Sequence, residues 1–410
     1  MPGMGNKLTN AVLKRIRARN EDSPALSFNI SSGTRKNLGQ RISVREAQFS
    51  DFPSVSALGK RHGQGPDSIE NWERLWRSNP AIHDGNAPAR IGWVLEASGE
   101  VVGFLGGIPL LYDYEEKTLI ASATCRFAVD PAYRASSHLL MTSFLRQKDV
   151  DLLLNTTATP SAGKIMTALR ATQVPQRNYE TVLFWVLNAG QFSKAVSKKI
   201  GLPMSIKTPV SGVCALLLKA ESTVRGRKPR LRKEQYRTEI RSIDELGSEF
   251  DQFCSSQAYD TRRLMARRSA EVQRWHFCPP ENRRPARALC AYAGDRLVGY
   301  AIVRDDVDEK VALHRSIVAD LLVEKDMPEI VRSLIVAAHK SAIENGSHVL
   351  ELMGFPSVIR DAVMTWNPYS RQYPSCPFFF RARDKAIQEK LLSESAWYAS
   401  QFDGDATLWP

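Results

Sequence analysis

Cysteine is scarce and scattered in this chain: Cys125, Cys214, Cys254, Cys278, Cys290 and Cys376 form no Cys-x-x-Cys pair and do not cluster with the seven histidines. That spacing argues against a zinc site or a disulfide framework, so no metal is expected and a reducing, cytoplasmic setting is. Long apolar runs are missing too. The closest, Val213 to Leu218, is far shorter than the roughly 20 residues of a membrane helix, and the N-terminus lacks the charged-then-apolar order of a secretory signal. Acidic residues are outnumbered, 44 against 56 Lys and Arg, leaving a net charge of +12. The balance favours anionic partners without choosing among phosphorylated small molecules, acidic membrane surfaces and tRNA.

What is present is an ordinary globular composition, 43% hydrophobic and 24% charged over 410 residues, with room for roughly two to three domains. A weak internal repeat organises it. Glu73-Arg74-Leu75-Trp76, then Pro80, Pro88-Ala89-Arg90, an apolar run Ile91 to Leu95 and Gly99 to Phe104 form the first copy. Val272-Gln273-Arg274-Trp275, then Pro279, Pro285-Ala286-Arg287, a run Ala288 to Tyr292 and Gly294 to Tyr300 form the second. Each copy carries two apolar runs joined by a glycine-containing polar turn, the signature of a β-hairpin. Trp76 and Trp275 are expected as core anchors.

The first half continues with a strand Leu119 to Val129, a turn Asp130-Pro131-Ala132-Tyr133-Arg134, and a helix opened by Ala135-Ser136-Ser137-His138 and carrying Leu139 and Leu140. Small residues in a first helical turn leave backbone N–H groups reachable, and a helix N-terminus carries about half a positive charge, so the turn suits a phosphate. An Asp-Pro turn capping a core helix is the plainer reading. Strand Val150 to Asn155, helix Ser161 to Arg170 and strand Val182 to Leu187 complete the half. The second half offers strand Val311 to Val323, helix Pro328 to Glu344, strand His348 to Met353, helix Pro356 to Thr365, and strands near Phe378 to Arg381 and Ala396 to Ser400. Its loop, Glu324-Lys325-Asp326-Met327-Pro328-Glu329, is acidic and disfavours an anion.

Val129, Pro131 and Arg134, in a Val-x-Pro-x-x-Arg order after a strand, resemble motif A of the GCN5-related N-acetyltransferase superfamily, which wraps the pyrophosphate of acetyl-CoA. Ser137 and Leu139 fill that pattern's two glycine positions. The resemblance implies an α+β fold of two acetyltransferase-like domains, each a mixed, mostly antiparallel sheet flanked by helices, with the second degenerate. Expected boundaries are a basic flexible segment 1–40, an acyltransferase domain 41–190, a basic linker 191–236 and the degenerate domain 237–410.

The resemblance further implies main-chain contacts from Phe127 and Val129 to pantetheine, and a pyrophosphate cradle of Arg134, Ala135, Ser136, Ser137, His138 and Leu139. Asn155, at its strand end, stands where the family often has a polar residue near the thioester, although it also reads as a turn residue. The family's usual tyrosine acid is missing from the helix Ser161 to Arg170; Thr124, Arg126, His138, Tyr179, Glu180 and Glu96 are other polar groups near the presumed cleft. Asp320 interrupts an apolar strand, so it is expected at a strand edge or a polar cleft, because burying it unpaired is costly, and it is the candidate catalytic residue of the second half, as Asn155 is of the first. The expected function is transfer of an acyl group, from acetyl-CoA or another acyl-CoA, to an amine or hydroxyl of a small molecule, sugar or peptide. Neither stable nucleic-acid binding nor a membrane span is expected, and a homodimer is allowed. The alternatives are an aminoacyl-tRNA-dependent transferase of the peptidoglycan-bridge type and a non-catalytic binding protein of the same fold.

Overall fold

The computed structural model describes residues 42–64, 68–83, 87–201, 204–279, 285–373 and 377–409. The expected flexible segment 1–40 lies outside them. In the first half β1 (Ile42–Glu46), α1 (Phe52–Arg61), α2 (Ile69–Trp76) and α3 (Pro80–His83) lead to β2 (Gly92–Ala97), β3 (Glu100–Tyr114) and β4 (Lys117–Val129). Then come α4 (Ser137–Leu145), β5 (Leu152–Asn155), α5 (Pro160–Ala168), β6 (Thr172–Gln173) and β7 (Thr181–Val186). The segment read as a linker holds two helices, α6 (Ala189–Lys199) and α7 (Met204–Val224). Asn188 caps the first, accepting from the Gln191 amide at 3.1 Å.

The second half begins with β8 (Arg237–Arg241), α8 (Ser248–Thr261), β9 (Met265–Ala266) and α9 (Ala270–Phe277), followed by β10 (Ala286–Ala293), β11 (Arg296–Asp308) and β12 (Leu313–Val323). It ends with α10 (Pro328–Glu344), β13 (Val349–Leu352), α11 (Ser357–Met364), β14 (Tyr369–Gln372), β15 (Phe379–Ala382) and α12 (Lys385–Lys390). Ala396 to Ser400, expected as a strand, makes only isolated bridges, Leu264 to Trp397 and Gly354 to Ser400.

Two sheets result, ordered β1-β2-β3-β4-β5-β15-β6 and β14-β7-β13-β12-β11-β10-β8. Read outward from β1 and β8, they repeat one another. Each has a single parallel pair, β4 with β5 and β12 with β13, joined by a helical crossover. The repeat extends to irregularities: Val102 is the extra residue of a bulge in the β2–β3 hairpin, and Val298 holds the same place between β10 and β11. Both stand directly before the repeat glycines Gly103 and Gly299.

The sixth strand of each sheet comes from the other half. β15 pairs with β5 through Phe379 opposite Asn155, and β7 pairs with β13 through Val186 opposite Val349. β7, expected to close the first half's own sheet, therefore completes the second. The equivalent helices α2 and α9 seal the junction: the Trp275 indole donates to the Arg74 carbonyl at 2.8 Å, and the Arg74 guanidinium donates to the Trp275 carbonyl at 2.6 Å. Both repeat tryptophans are buried.

Burial follows strand alternation. In β3, Phe104 and Ile108 face a core that runs through both halves, while Leu105 faces a second core under α4 and α5, built around Trp93, Phe144 and Met166. The first sheet is thus covered on both faces, as β4 and β5 require of a parallel pair.

Candidate active site

β4 and β5 pair from Ala121 opposite Leu152 to Ala123 opposite Leu154, and β4 then runs on to Val129 after β5 has ended at Asn155. The overhanging end of β4 is irregular. Opposite β3, the register slips between Phe104 and Gly106, so that Arg126 and Phe127 on β4 face Leu105 alone. Arg126 takes φ of 48°, a left-handed conformation uncommon outside glycine, and the bulge re-aims the strand end. Gly106 permits the close approach, since a Cβ there would meet the Cys125 sulfur at 2.4 Å.

At the open end, Asp130 is fixed by Arg61 at 2.8 Å and His62 at 3.0 Å. Burial pushes its carboxyl upward, but hydrogen bonds from Arg61 and His62 outweigh this and hold it below the ordinary carboxylate range. The next residues, Pro131–Ser136, form a 3-10 helix rather than an open turn, and α4 starts at Ser137 instead of Ala135. The Ser137 amide donates to the Arg134 carbonyl. Arg134, Ala135, His138 and Leu139 are exposed, with Ser136 and Ser137 half-buried. His138 Nδ1 donates to the Ala135 carbonyl at 2.8 Å, a local cap. Leu139, 37% exposed, faces water rather than filling the turn.

Val129 is buried and paired with Gly103 of β3. The Phe127 carbonyl accepts from Gln64 Nε2 at 3.2 Å, and Gln64 itself is exposed at the end of α1. Asn155 is buried, with its backbone paired to β15. The structure thus brings Phe127, Val129, the loop and Asn155 to one end of the first sheet.

The second half supplies groups there that sequence patterns do not reveal. The segment Ser400–Trp409 crosses to the end of β5, where Asp405 accepts from Thr156 Oγ1 at 2.8 Å and Thr157 Oγ1 at 3.0 Å. Trp409 donates its indole N–H to Asp405 at 3.3 Å, and the Arg126 guanidinium lies 4.2 Å from its ring centroid. Gly404 is required by contact: a Cβ would fall 2.2 Å from Thr156 Oγ1. Asp405 is buried, and burial raises its carboxyl above the usual range against the hydrogen bonds that lower it. Tyr179 anchors this segment, its hydroxyl donating to the Ser400 carbonyl at 3.2 Å. Glu96 is elsewhere, paired with Arg45 at 2.8 Å.

Asp320 lies at neither a strand edge nor a polar cleft. It is fully buried in the centre of the second sheet and accepts from Arg268 Nε at 3.1 Å, Gln273 Nε2 at 3.0 Å and the Tyr300 hydroxyl at 2.6 Å. Arg268 also donates to Asp403 at 3.0 Å. Counted back from Val129 and Val323 at the strand ends, Asp320 holds the place of Arg126.

Solved structures share this architecture. A GCN5-related N-acetyltransferase from Anabaena variabilis ATCC 29413 superposes with a TM-score of 0.54 at 11% identity, over 84% of this chain and 73% of that one. The fold is that of the GCN5-related N-acetyltransferases. One from Kribbella flavida gives a TM-score of 0.50 at 11% identity, covering 84% and 71%. No family model matches the chain, and no curated protein matches it. Within the acetyltransferase fold, the first half keeps an exposed loop beside the end of β4 that overhangs β5. The second closes the same place with its own side chains: Asp326 pairs with Arg263 at 2.8 Å and Glu324 with Arg296 at 3.0 Å.

Proposed function

We propose that the chain is an acyl-CoA-dependent acyltransferase acting from its first half, with acetyl-CoA as donor and an amine or hydroxyl of a small molecule, sugar or peptide as acceptor. The observation that carries this reading is the end of β4, which runs on past β5 and carries the Arg126 bulge, beside an exposed loop that leads into the N-terminus of α4. An extended amide-bearing arm can add to such an edge as a strand does, while Arg134 and the helix N-terminus offer positive charge to its diphosphate. Phe127 and Val129 would meet the arm, and Gln64 would exchange its hydrogen bond to Phe127 for one with the ligand.

Acyl transfer joins the acceptor nitrogen or oxygen to the thioester carbonyl carbon and breaks the C–S bond; the acceptor's proton must leave and the thiolate must gain one. Asp405 is the buried carboxyl group at this end of the sheet, and burial raises it above the ordinary carboxylate range, the direction that suits a proton-exchanging group. Asn155, buried at the end of β5, would orient the carbonyl. The free thiols Cys125, Cys214, Cys254, Cys278 and Cys290 fit the cytoplasmic setting that this reading carries.

The test is a calorimetric titration of the full chain with acetyl-CoA, alongside Arg134→Ala. Micromolar binding weakened about 10- to 150-fold in the variant is expected, since a charge-assisted contact contributes about 1.5–3 kcal/mol. No binding by the parent chain ends the proposal. Asp405→Asn should retain binding and lower acyl-transfer rate about 10²-fold or more. A second reading, a binding protein of this fold that has lost the cofactor, is favoured by the 3-10 hydrogen bond that occupies the Ser137 amide; absence of acetyl-CoA binding would select it.

A further inference from the structure

α7 is a 21-residue helix with an unusually bare outer side. Val210 is 38% exposed, Val213 58%, Leu216 69%, Leu217 50% and Val224 86%. Successive positions at 100° per residue bring these five onto one side, within about 120° of arc. The opposite side faces the protein, with Ser211 buried against Ser197 of α6 at 3.1 Å and Ala215, Leu218 and Ser222 half-buried. No helix among the described residues is long and apolar enough to cross a membrane, so this stripe belongs to a helix lying along a surface.

The stripe leads into a basic cavity. Thr223, two turns beyond Leu216 on the same helix line, lines a cavity of about 850 Å³ together with the segment that follows the helix. Lys228, Arg230, Arg232, Lys233 and Arg332 line it against one carboxylate, Glu329. The mount is rigid: the Trp366 indole donates to the Arg230 carbonyl at 3.3 Å, Asn367 Nδ2 to the Arg225 carbonyl at 3.1 Å, and Arg227 stacks 4.0 Å over Tyr369. Apolar aliphatic surface bordered by cations of a single sign complements one kind of partner, an acyl layer beneath a sheet of phosphates. The stripe has none of the aromatic side chains that dominate protein–protein hot spots.

We propose that α7 and the basic segment after it dock on an anionic lipid bilayer. The Val and Leu side chains enter the acyl boundary, and the cavity takes phosphate headgroups. The chain is a peripheral membrane protein by this face, independent of what the first half catalyses.

Vesicle flotation of the full chain tests this. Vesicles of phosphatidylglycerol and phosphatidylcholine should carry the protein upward, pure phosphatidylcholine should not, and high salt should release it. Leu216→Ser with Leu217→Ser, and separately Arg232→Glu with Lys233→Glu, should each lower the bound fraction about tenfold with melting temperature unchanged. The second pair keeps the test valid if the first perturbs the helix. Absence of flotation, equal flotation with neutral vesicles, or variants that float like the parent would overturn the proposal. So would light scattering that shows a dimer dissociated by the Leu pair with no vesicle binding by either form, since the stripe would then bind its own copy.

Discussion

The end of β4 and the end of β12 are the same piece of architecture put to opposite uses. Both strands run antiparallel to a long hairpin strand, carry a bulge, and leave a parallel neighbour before turning into a helix. At the first, Arg126 lies beside Trp409 and the loop is exposed. At the second, Asp320 is buried under Arg268, and the acids of the loop are held by Arg263 and Arg296. An anion-binding helix start can be retired by supplying the anion from within. The strand order repeats, and the charges at the two strand ends differ.

The sharpest way to break this comparison is Arg268→Ala. It leaves Asp320 and Asp403 buried without their cation, and should cost about 3–5 kcal/mol in urea unfolding. Arg126→Ala, at the matching end of the first sheet, loses a cation–π contact and should cost only about 0.5–2 kcal/mol. Equal costs would mean that both ends are structural.

Acid should expose a second asymmetry. His276 is held neutral by burial and by Arg74 and Arg268, and burial beside Lys228 pulls His339 down to about 4. Unfolded histidine titrates near 6.5, so below that pH the unfolded chain binds protons that the native chain refuses. Stability is full above about pH 6.5 and falls on acidification by about 1.4 kcal/mol per unit for each histidine, with the His339 contribution levelling near pH 4. Asp403 and Asp405 act in the other direction, because carboxyls raised by burial take up protons natively first. The gap between urea midpoints at pH 7.5 and 5 should narrow in His339→Gln without closing, because His276 remains buried beside Arg74 and Arg268.

The smallest effect sharpens the contrast most. Asp326→Ala removes a partly exposed ion pair and should cost about 1 kcal/mol or less. It should create no acetyl-CoA affinity in a chain carrying Arg134→Ala, because Glu324 and the bound Lys325 amide still occupy the second loop. A gain in calorimetry would show that one charge had been closing the site.

The tandem order was legible because the same order of elements occurs twice, with a proline four residues after each repeat tryptophan, and α10 matches its expected bounds of Pro328 to Glu344. The exchange of β7 and β15 was not: four residues such as Phe379–Ala382 carry no mark of which apolar edge they will join. The two helices in the supposed linker were hidden by its charges, though Asn188 ahead of Ala189 is a usable cap signal. In the site, Arg134 and Asn155 announce themselves through motif and strand end. Asp405 and Trp409 do not, since only long-range folding brings the last residues to Thr156. Asp320 was readable as costly to bury, yet its partner Arg268 is distant in sequence.

Because β5 waits for Phe379–Ala382, a nascent chain leaving the ribosome carries an unfinished sheet edge, Leu152–Asn155, through the synthesis of most of its length. Such edges invite wrong partners. Expressed separately, the two halves should be insoluble, and co-expression should rescue both, as each brings the strand that the other lacks.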